Sequence, residues 1–554
     1  MVRVAAVQYA VGEEIEENLA TAVRMIDEAV AQGAELVVLP EFGNHVSWYA
    51  DRAHARRHAQ SLDGEFLGTL AARAATHRIH LMVNCTLLRA DGRVAGANLL
   101  FGPDGALISS SDKQVLMGSE RDHLDPAVDR PGAVDTALGR VGLYSCMDGV
   151  IFETPRMLAA EGAQLLLNSL NSFALDEASL HVPVRAAENK VWVVAANKVG
   201  PLVPAHSIEM VAAKVGVPVD RLHGAGESQI VAPDGTVVAI GPRSGEAVVI
   251  ADIDLDLATE KSRPDGTDVI AARRPALYRA LAAEPRGRSA APGAAEIAAA
   301  VISPGADDDV VSLVDAALAA GADLVVLPEL AAHVGGAADG DVVADLAPAA
   351  LAAMLAGTAT LIVTSVVEDG RHVGLVISAD GVALRQPQLH ASERHGPLAL
   401  ADGDGAPVLI HQAPWGRLAV VVGDDALYPE TFRLAALADA DVVAVPFTVA
   451  EAHDVDLLLL ERAAENRLNV AVASRPHAAF GAGALIPLSA DFTLWGDWAN
   501  PFAGVISRPE PQGADAPMTL GVLRPACATN RFVSKGTDVV DGRPWQLLGG
   551  VLTD

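Results

Sequence analysis

Cysteine is scarce in this 554-residue chain, with Cys85, Cys146 and Cys527 the whole set. An odd and sparse count argues against a disulfide framework and fits a reducing compartment. Positive charge is scarce too: 40 Lys and Arg stand against 70 Asp and Glu, a formal net charge of −30. Nucleic acid and anionic membranes both require clustered Lys and Arg to neutralise phosphate, so neither is the expected partner, and a small molecule is. Long apolar runs are missing although 51% of the residues are hydrophobic; none approaches the roughly 20 residues that span a bilayer. The opening MVRVAAVQYAVGEE lacks the basic, then apolar, then small-residue layout of a signal peptide and reads as a first strand, which points to the cytoplasm. Motifs of serine hydrolases and nucleotide binders (GxSxG, the P-loop, GxGxxG with its acidic partner) are absent, and no cofactor is expected.

What is present, first of all, is a repeat. GAELVVLPEF (33–42) returns as GADLVVLPEL (321–330), RAAENKVWVVAANK (185–198) as RAAENRLNVAVASR (462–475), and GTDVIAARRPALY (266–278) as GTDVVDGRPWQLL (536–548). Three matches in one order describe two copies of one domain. The Pro, Gly, Ser and Ala content of 282–296 is that of a connection, giving domains at 1–285 and 295–554 with a linker at 286–294. Within each copy, short consecutive apolar runs such as VRVAAVQ, ELVVLP and VWVVAAN suit strands buried on both faces. Alanine-rich stretches of helical period lie between them, for example NLATAVRMIDEAVAQGA, whose glycine can cap a helix. Alternation of the two predicts an α/β fold, and VAPDGTVVAI predicts a hairpin turning at Asp234-Gly235.

LVVLPEF (36–42), together with GLYSC leading into DGVIFETPR (142–156), resembles the nitrilase superfamily of carbon-nitrogen hydrolases, over the whole first copy and more weakly over the second. The resemblance implies a four-layer αββα sandwich and a Glu-Lys-Cys catalytic set. The glutamate after strand-Leu-Pro matches Glu41, and the strand-ending cysteine with its acidic and basic followers matches Cys146, Asp148, Glu153 and Arg156. The family's lysine usually stands in aromatic-Arg-Lys-x-His-Leu, whereas this chain has SDKQVL; Lys113 is nevertheless the only lysine among the first 189 residues. Many relatives carry a second glutamate upstream of a Pro-Gly, and Glu120, ahead of Pro131 and Gly132, is the candidate.

These residue types belong together chemically. An amide resists water, and a thiolate that forms an acyl-enzyme divides one hard step into two easier ones. A free thiol with a pKa of about 8.5 supplies little thiolate at neutral pH. Glu41 is therefore the expected base for Cys146, with Lys113 and the backbone N–H of Met147 as oxyanion donors. Cys85, inside IHLMVNCTLL, reads as a core residue, and His54 and His58 of HARRH read as helix surface.

An ungapped alignment of 139–156 with 416–433 puts Gly423 in the place of Cys146, Asp425 in that of Asp148, Glu430 in that of Glu153 and Arg433 in that of Arg156. Glu329 keeps the place of Glu41, whereas no lysine occurs from 262 to 534 and Gln388 falls near the place of Lys113. The second copy is thus expected to lack nucleophile and lysine, and to replace one subunit of the family's dimer as an intramolecular pseudo-dimer, with further homo-oligomers open. Met147-Asp148 after the nucleophile resembles amidase and N-carbamoyl branches more than the Trp-Glu of true nitrilases. An amide or N-carbamoyl substrate is expected, with a nitrile, acyl transfer, or a non-catalytic binding protein as alternatives. The stretches 42–58, with Trp48 and Tyr49, and 201–224 are expected to shape the pocket, and Asn197 and Glu188 to be structural.

Overall fold

The structure is a computed structural model describing residues 1–400 and 406–552. VRVAAVQ forms the strand Val2–Gln8, which pairs in parallel with Leu36–Val38 and antiparallel with Ala247–Ile253. The sheet continues through His80–Leu88, Val94–Phe101 and Leu107–Asp112. A second six-stranded sheet has the parallel strands Gly139–Ser145, Leu165–Ser169 and Trp192–Ala196 at its centre. At one edge lies the expected hairpin, Gln229–Val231 with Val237–Ile240, where Gly235 takes the positive φ of 91° that its turn requires.

Alternation along the strands builds the layers. Val4 and Ala6 point with Leu36, Val38 and Met82 at Leu143, Leu165 and Val194 of the second sheet. Their neighbours Ala5 and Val7 pack against Met25, Ile26, Leu67 and Leu70 of the helices Ile15–Ala31 and Glu65–His77. The outer face of the second sheet carries the helices Glu153–Ala160 and Val182–Asn189 through Leu158, Val182 and Ala186. The order is helix, sheet, sheet, helix. Residues 297–523 contribute two more six-stranded sheets, again with apolar residues between them and helices outside.

One apolar cluster joins early and late parts of the chain: Met147, Phe152, Met157 and Leu180 pack with Phe432, Leu459, Ala463 and Val540. Fully buried ion pairs run through it. Arg156 Nε lies 2.9 Å from Glu430 Oε1, and Arg433 Nε 3.0 Å from Glu153 Oε1. Arg185 Nη2 lies 2.8 Å from Glu465 Oε2, and Arg462 pairs with Glu188. Segment 286–294 has no helix or strand but is tied down: Arg288 pairs with Asp441 at 2.5 Å, and Ser289 N–H donates to Asp439 at 3.1 Å. Among the described residues, no helix is long and apolar enough to cross a membrane.

Candidate active site

Each site residue sits where a strand ends. Glu41 follows Leu36–Val38 through Pro40, its N–H bonded to the Leu170 carbonyl at 3.1 Å. Phe42, at φ 51°, is held by Asn84 Oδ1, which accepts its N–H at 2.8 Å. Lys113 ends Leu107–Asp112, its N–H donating to the Gly96 carbonyl at 2.8 Å. Gly96 has no room for a side chain, since an added Cβ would lie 3.0 Å from the Phe42 ring. Cys146 ends Gly139–Ser145 and opens the helical turn Met147–Val150. Its φ of 47° and ψ of −111° are strained for a residue with a Cβ, a conformation that persists only where the surroundings impose it. They do: the Cys146 N–H is shared by Ser169 O and Asn168 Oδ1, each at 3.1 Å. Asp148 then ties this elbow to the lysine strand by accepting from the N–H groups of Gln114 at 3.0 Å and Val115 at 2.8 Å.

The result is a buried charge cluster. Lys113 Nζ lies 2.9 Å from Glu41 Oε1 and donates to Glu120 Oε1 at 2.9 Å. Glu120 is oriented by the Met117 N–H, which donates to its second oxygen at 2.8 Å. Glu41 and Lys113 are fully buried, whereas Cys146 is half-buried. Burial raises the Glu41 carboxyl above its ordinary range despite the Lys113 ammonium. Burial also works against the Lys113 charge, but Glu120 and Glu41 together hold its pKa well above the ordinary value. The Cys146 thiol is pushed well up, first by burial and then by the Glu41 carboxylate. A protonated thiol beside a carboxylate of raised basicity suits proton transfer at the moment of attack. The Met147 N–H, first of its turn, has no acceptor within that turn and is free for an oxyanion.

The sequence reading missed Lys198. Its side chain is buried, its Nζ has no hydrogen-bond partner, and it lies 5.8 Å from the centre of the Phe42 ring, on which Lys113 also sits at 5.5 Å. Burial lowers its pKa to about 7, against the pull of Glu41 and Cys146. The repeat carried a signal for it: Lys198 aligns with Arg475, which donates to the Glu329 carbonyl at 3.1 Å.

Other expectations fare differently. A cavity of about 70 Å³ opens on Cys146 and Met147, and neither Trp48 nor Tyr49 lines it. Tyr49 is instead a core residue, its hydroxyl 2.7 Å from Thr86 Oγ1 and its ring among the histidines His45, His54, His58 and His123, while Trp48 is exposed. His54 and His58, read as helix surface, turn half inward, and with His45 they bring one ring nitrogen each within 4.8 Å of one another. His45 and His58 donate Nδ1–H to the carbonyls of Val46 and His54, which leaves the lone pair of each on Nε2, whereas His54 Nδ1 accepts from the Ala50 N–H, which leaves its proton on Nε2 and no lone pair there for a metal. The 201–224 stretch contains the helix Ile208–Val215 and packs through Ile208 and Leu222 against Leu494 and Phe502. Asn197 bridges Ser172 and Gly226, and Glu188 belongs to the buried ion pairs.

At the aligned positions later in the chain, Gly423 takes φ 51° without a Cβ, and a methyl group there would overlap the Glu329 carboxylate. Asp425 accepts from the N–H groups of Leu389 and His390, both at 2.8 Å, which puts Gln388 in the place of Lys113. Arg394 Nη1, 2.7 Å from Glu329 Oε2, supplies the charge that the lysine would have brought.

Residues 3–263 match the carbon-nitrogen hydrolase family. A nitrilase of Pyrococcus abyssi is 29% identical over 267 residues, 48% of this chain and 94% of its own length. The omega-amidase NIT2 of Homo sapiens is 30% identical over 271 residues, 47% of this chain and 90% of its own. Among solved structures, an amidase from Nesterenkonia sp. covers 50% of this chain and 95% of its own at 21% identity, with a TM-score of 0.40. With these relatives matched over nearly their full length, the chain belongs to the nitrilase superfamily of carbon-nitrogen hydrolases.

Proposed function

We propose that the chain hydrolyses a small amide or N-carbamoyl compound through a thioester on Cys146. The observation that carries this reading is the single ammonium of Lys113, 2.9 Å from both Glu41 and Glu120, on the strand that Asp148 ties to the strained Cys146 elbow. Glu41 takes the Sγ proton as sulfur attacks the carbonyl carbon. The oxyanion meets Lys113 Nζ and the Met147 N–H. Glu41 then returns its proton to the departing nitrogen, the C–N bond breaks, and ammonia or amine leaves. Water, deprotonated by Glu41, attacks the thioester; the acid departs and the thiol is restored. Glu120 keeps Lys113 charged and placed.

In this reading, residues 1–285 carry the chemistry, 286–294 connect, and 295–554 are a second copy without the cysteine and lysine. The second copy serves as the missing partner of a dimer. Support comes from the reciprocity of the buried pairs. Under the repeat alignment, Arg156 to Glu430 and Arg433 to Glu153 exchange positions, as do Arg185 to Glu465 and Arg462 to Glu188. Such exchange is the signature of an isologous two-fold contact.

The test is ammonia and amine release from a panel of small amides, N-carbamoyl compounds and nitriles, with wild type beside Cys146→Ala. Release from amides or carbamoyl compounds that vanishes in the variant is expected. Activity surviving in Cys146→Ala, or confined to nitriles, would overturn the assignment.

A further inference from the structure

The cavity beside Cys146 is built from both parts of the chain: Met147, Asp176 and Glu177 line it on one side, Leu494, Ile506 and Val533 on the other. Its volume of about 70 Å³ is roughly half that of the ~150 Å³ cavity that admits benzene, leaving room for about three or four non-hydrogen atoms. Most of the wall is apolar. Beside the hydroxyls of Ser172 and Ser507 and the ring of His181, its polar lining holds two buried acceptors, Asp176 Oδ1 and Asn171 Oδ1, that no donor among the described residues reaches. Glu177, 5% exposed, is held up to about 7, chiefly by burial. His181, which also lines the cavity, is engaged by Glu461 at 2.9 Å and lies 3.7 Å from Asp176 Oδ2.

The late wall does not rest there by chance. Asp176 Oδ2 accepts from the N–H groups of Ile506 at 3.2 Å, Ser507 at 2.7 Å and Arg508 at 3.3 Å, and from Ser507 Oγ at 2.8 Å. His181 Nε2 lies 2.9 Å from the same Ser507 Oγ. One oxygen of the carboxylate thus fastens the 506–508 segment over the cavity, and the other is left facing no donor. Orphaned buried acceptors are destabilising unless something supplies the missing hydrogen.

We propose that this cavity is the acyl subsite and selects short acyl chains ending in an ammonium group, with residues 494–507 forming its specificity wall. The inference rests on the hydrolase reading for the word acyl, but the subsite itself does not require turnover. An ammonium supplies N–H donors to Asp176 Oδ1 and Asn171 Oδ1 and a positive charge to Glu177; a carboxylate in the same place would face those two orphaned oxygens and the Glu177 carboxyl. The size limit follows from Leu494, Ile506 and Val533, which no copy of the first 285 residues provides.

The experiment uses the full chain in two arms. In the first, kcat/KM is measured for β-alaninamide, butanamide and malonamate, whose chains beyond the carbonyl all fit the three-to-four-atom limit and differ mainly in the charge of the chain end. β-Alaninamide is expected to exceed butanamide by about tenfold or more, with malonamate lowest. Glu177→Gln should shrink the β-alaninamide to butanamide ratio by about tenfold through KM, and Ile506→Ala should raise the hexanamide to butanamide ratio by a similar factor. In the second arm, alkylation of the Cys146 peptide by iodoacetamide is followed by mass spectrometry, with propylammonium or butyrate as protectant. Protection by propylammonium alone, weakened in Glu177→Gln, is expected even if none of the three amides turns over. Protection by butyrate as good as by propylammonium, no protection by either, or ratios that neither variant moves would overturn the subsite. Loss of the hydrolase reading looks different: no amide, carbamoyl compound or nitrile would release ammonia, whatever protects Cys146.

Discussion

Glu41 and Lys113 form a buried pair whose members depend on each other for charge. Glu41→Gln removes the proposed proton carrier and is expected to lower kcat by about 10²–10⁴-fold with the fold intact, measured by ammonia release and circular dichroism. Lys113→Met does more: it leaves Glu41 and Glu120 as buried carboxyl groups without a cation. A stability loss of about 3–5 kcal/mol by urea denaturation should accompany the loss of activity. Lys198 is expected to behave in the opposite sense. Its pKa in the folded chain falls from the ordinary 10.5 to about 7, so the unfolded chain binds the proton more tightly between those values. Stability therefore decreases as pH falls from 10.5 towards 7 and is flat below. Lys198→Met should stabilise the protein by at least about 1 kcal/mol at pH 7, read by urea denaturation. A variant that is less stable than wild type would mean that the buried ammonium has a partner.

Two elbows of similar positive φ can be compared directly. Cys146 bears φ 47° with a side chain, whereas Gly423 holds φ 51° without one and faces Glu329 across a gap too small for a methyl group. Gly423→Ala is expected to cost more than about 2 kcal/mol, combining the left-handed penalty with overpacking, and to create no activity. Thermal denaturation of Gly423→Ala beside wild type checks it. The later elbow has thus been closed: Arg394 neutralises Glu329, and His395 Nε2 lies 2.7 Å from its other oxygen. Reintroducing a cysteine there would meet a filled space.

At the scale of the molecule, the buried ion pairs fix how the early and late parts of the chain meet. Arg433→Met leaves Glu153 without its cation and is expected to cost about 3–5 kcal/mol. Glu430 carries a pH signature as well. Burial raises its pKa, but Arg156 and Arg273 outweigh burial and bring it from 4.5 down to about 2. A depressed carboxylate contributes stability above its unfolded pKa and loses it as pH falls through the folded one. Glu430→Gln should therefore flatten the part of the acid-unfolding curve between pH 4.5 and 2. Residues 1–285 expressed alone would expose Met147, Phe152, Met157 and Leu180, the apolar faces that Phe432, Leu459 and Val540 cover. We expect that fragment to self-associate or to lose activity, and a soluble, monomeric, fully active fragment would sink the pseudo-dimer reading.

By itself the sequence determined whatever is local in the chain. Strands such as Val2–Gln8 and the hairpin at Gly235 were legible because a consecutive apolar run and turn chemistry are properties of neighbouring residues. Glu41, Lys113 and Cys146 were legible as candidates because the motifs around Glu41 and Cys146 resemble those of the nitrilase superfamily, and because lysine is so rare that Lys113 had no rival. Tertiary structure alone decided which groups share a space. Trp48 and Tyr49 stand close to Glu41 along the chain, yet the turn at Phe42 carries Tyr49 into the core and away from the cavity. Lys198, Glu177 and Ile506 carry no motif: Lys198 is set apart by burial without a hydrogen-bond partner among the described residues, Glu177 by burial, and Ile506 by a segment that Asp176, 330 positions earlier, holds over the cavity. Periodicity records which face of an element is apolar; only packing settles what that face meets.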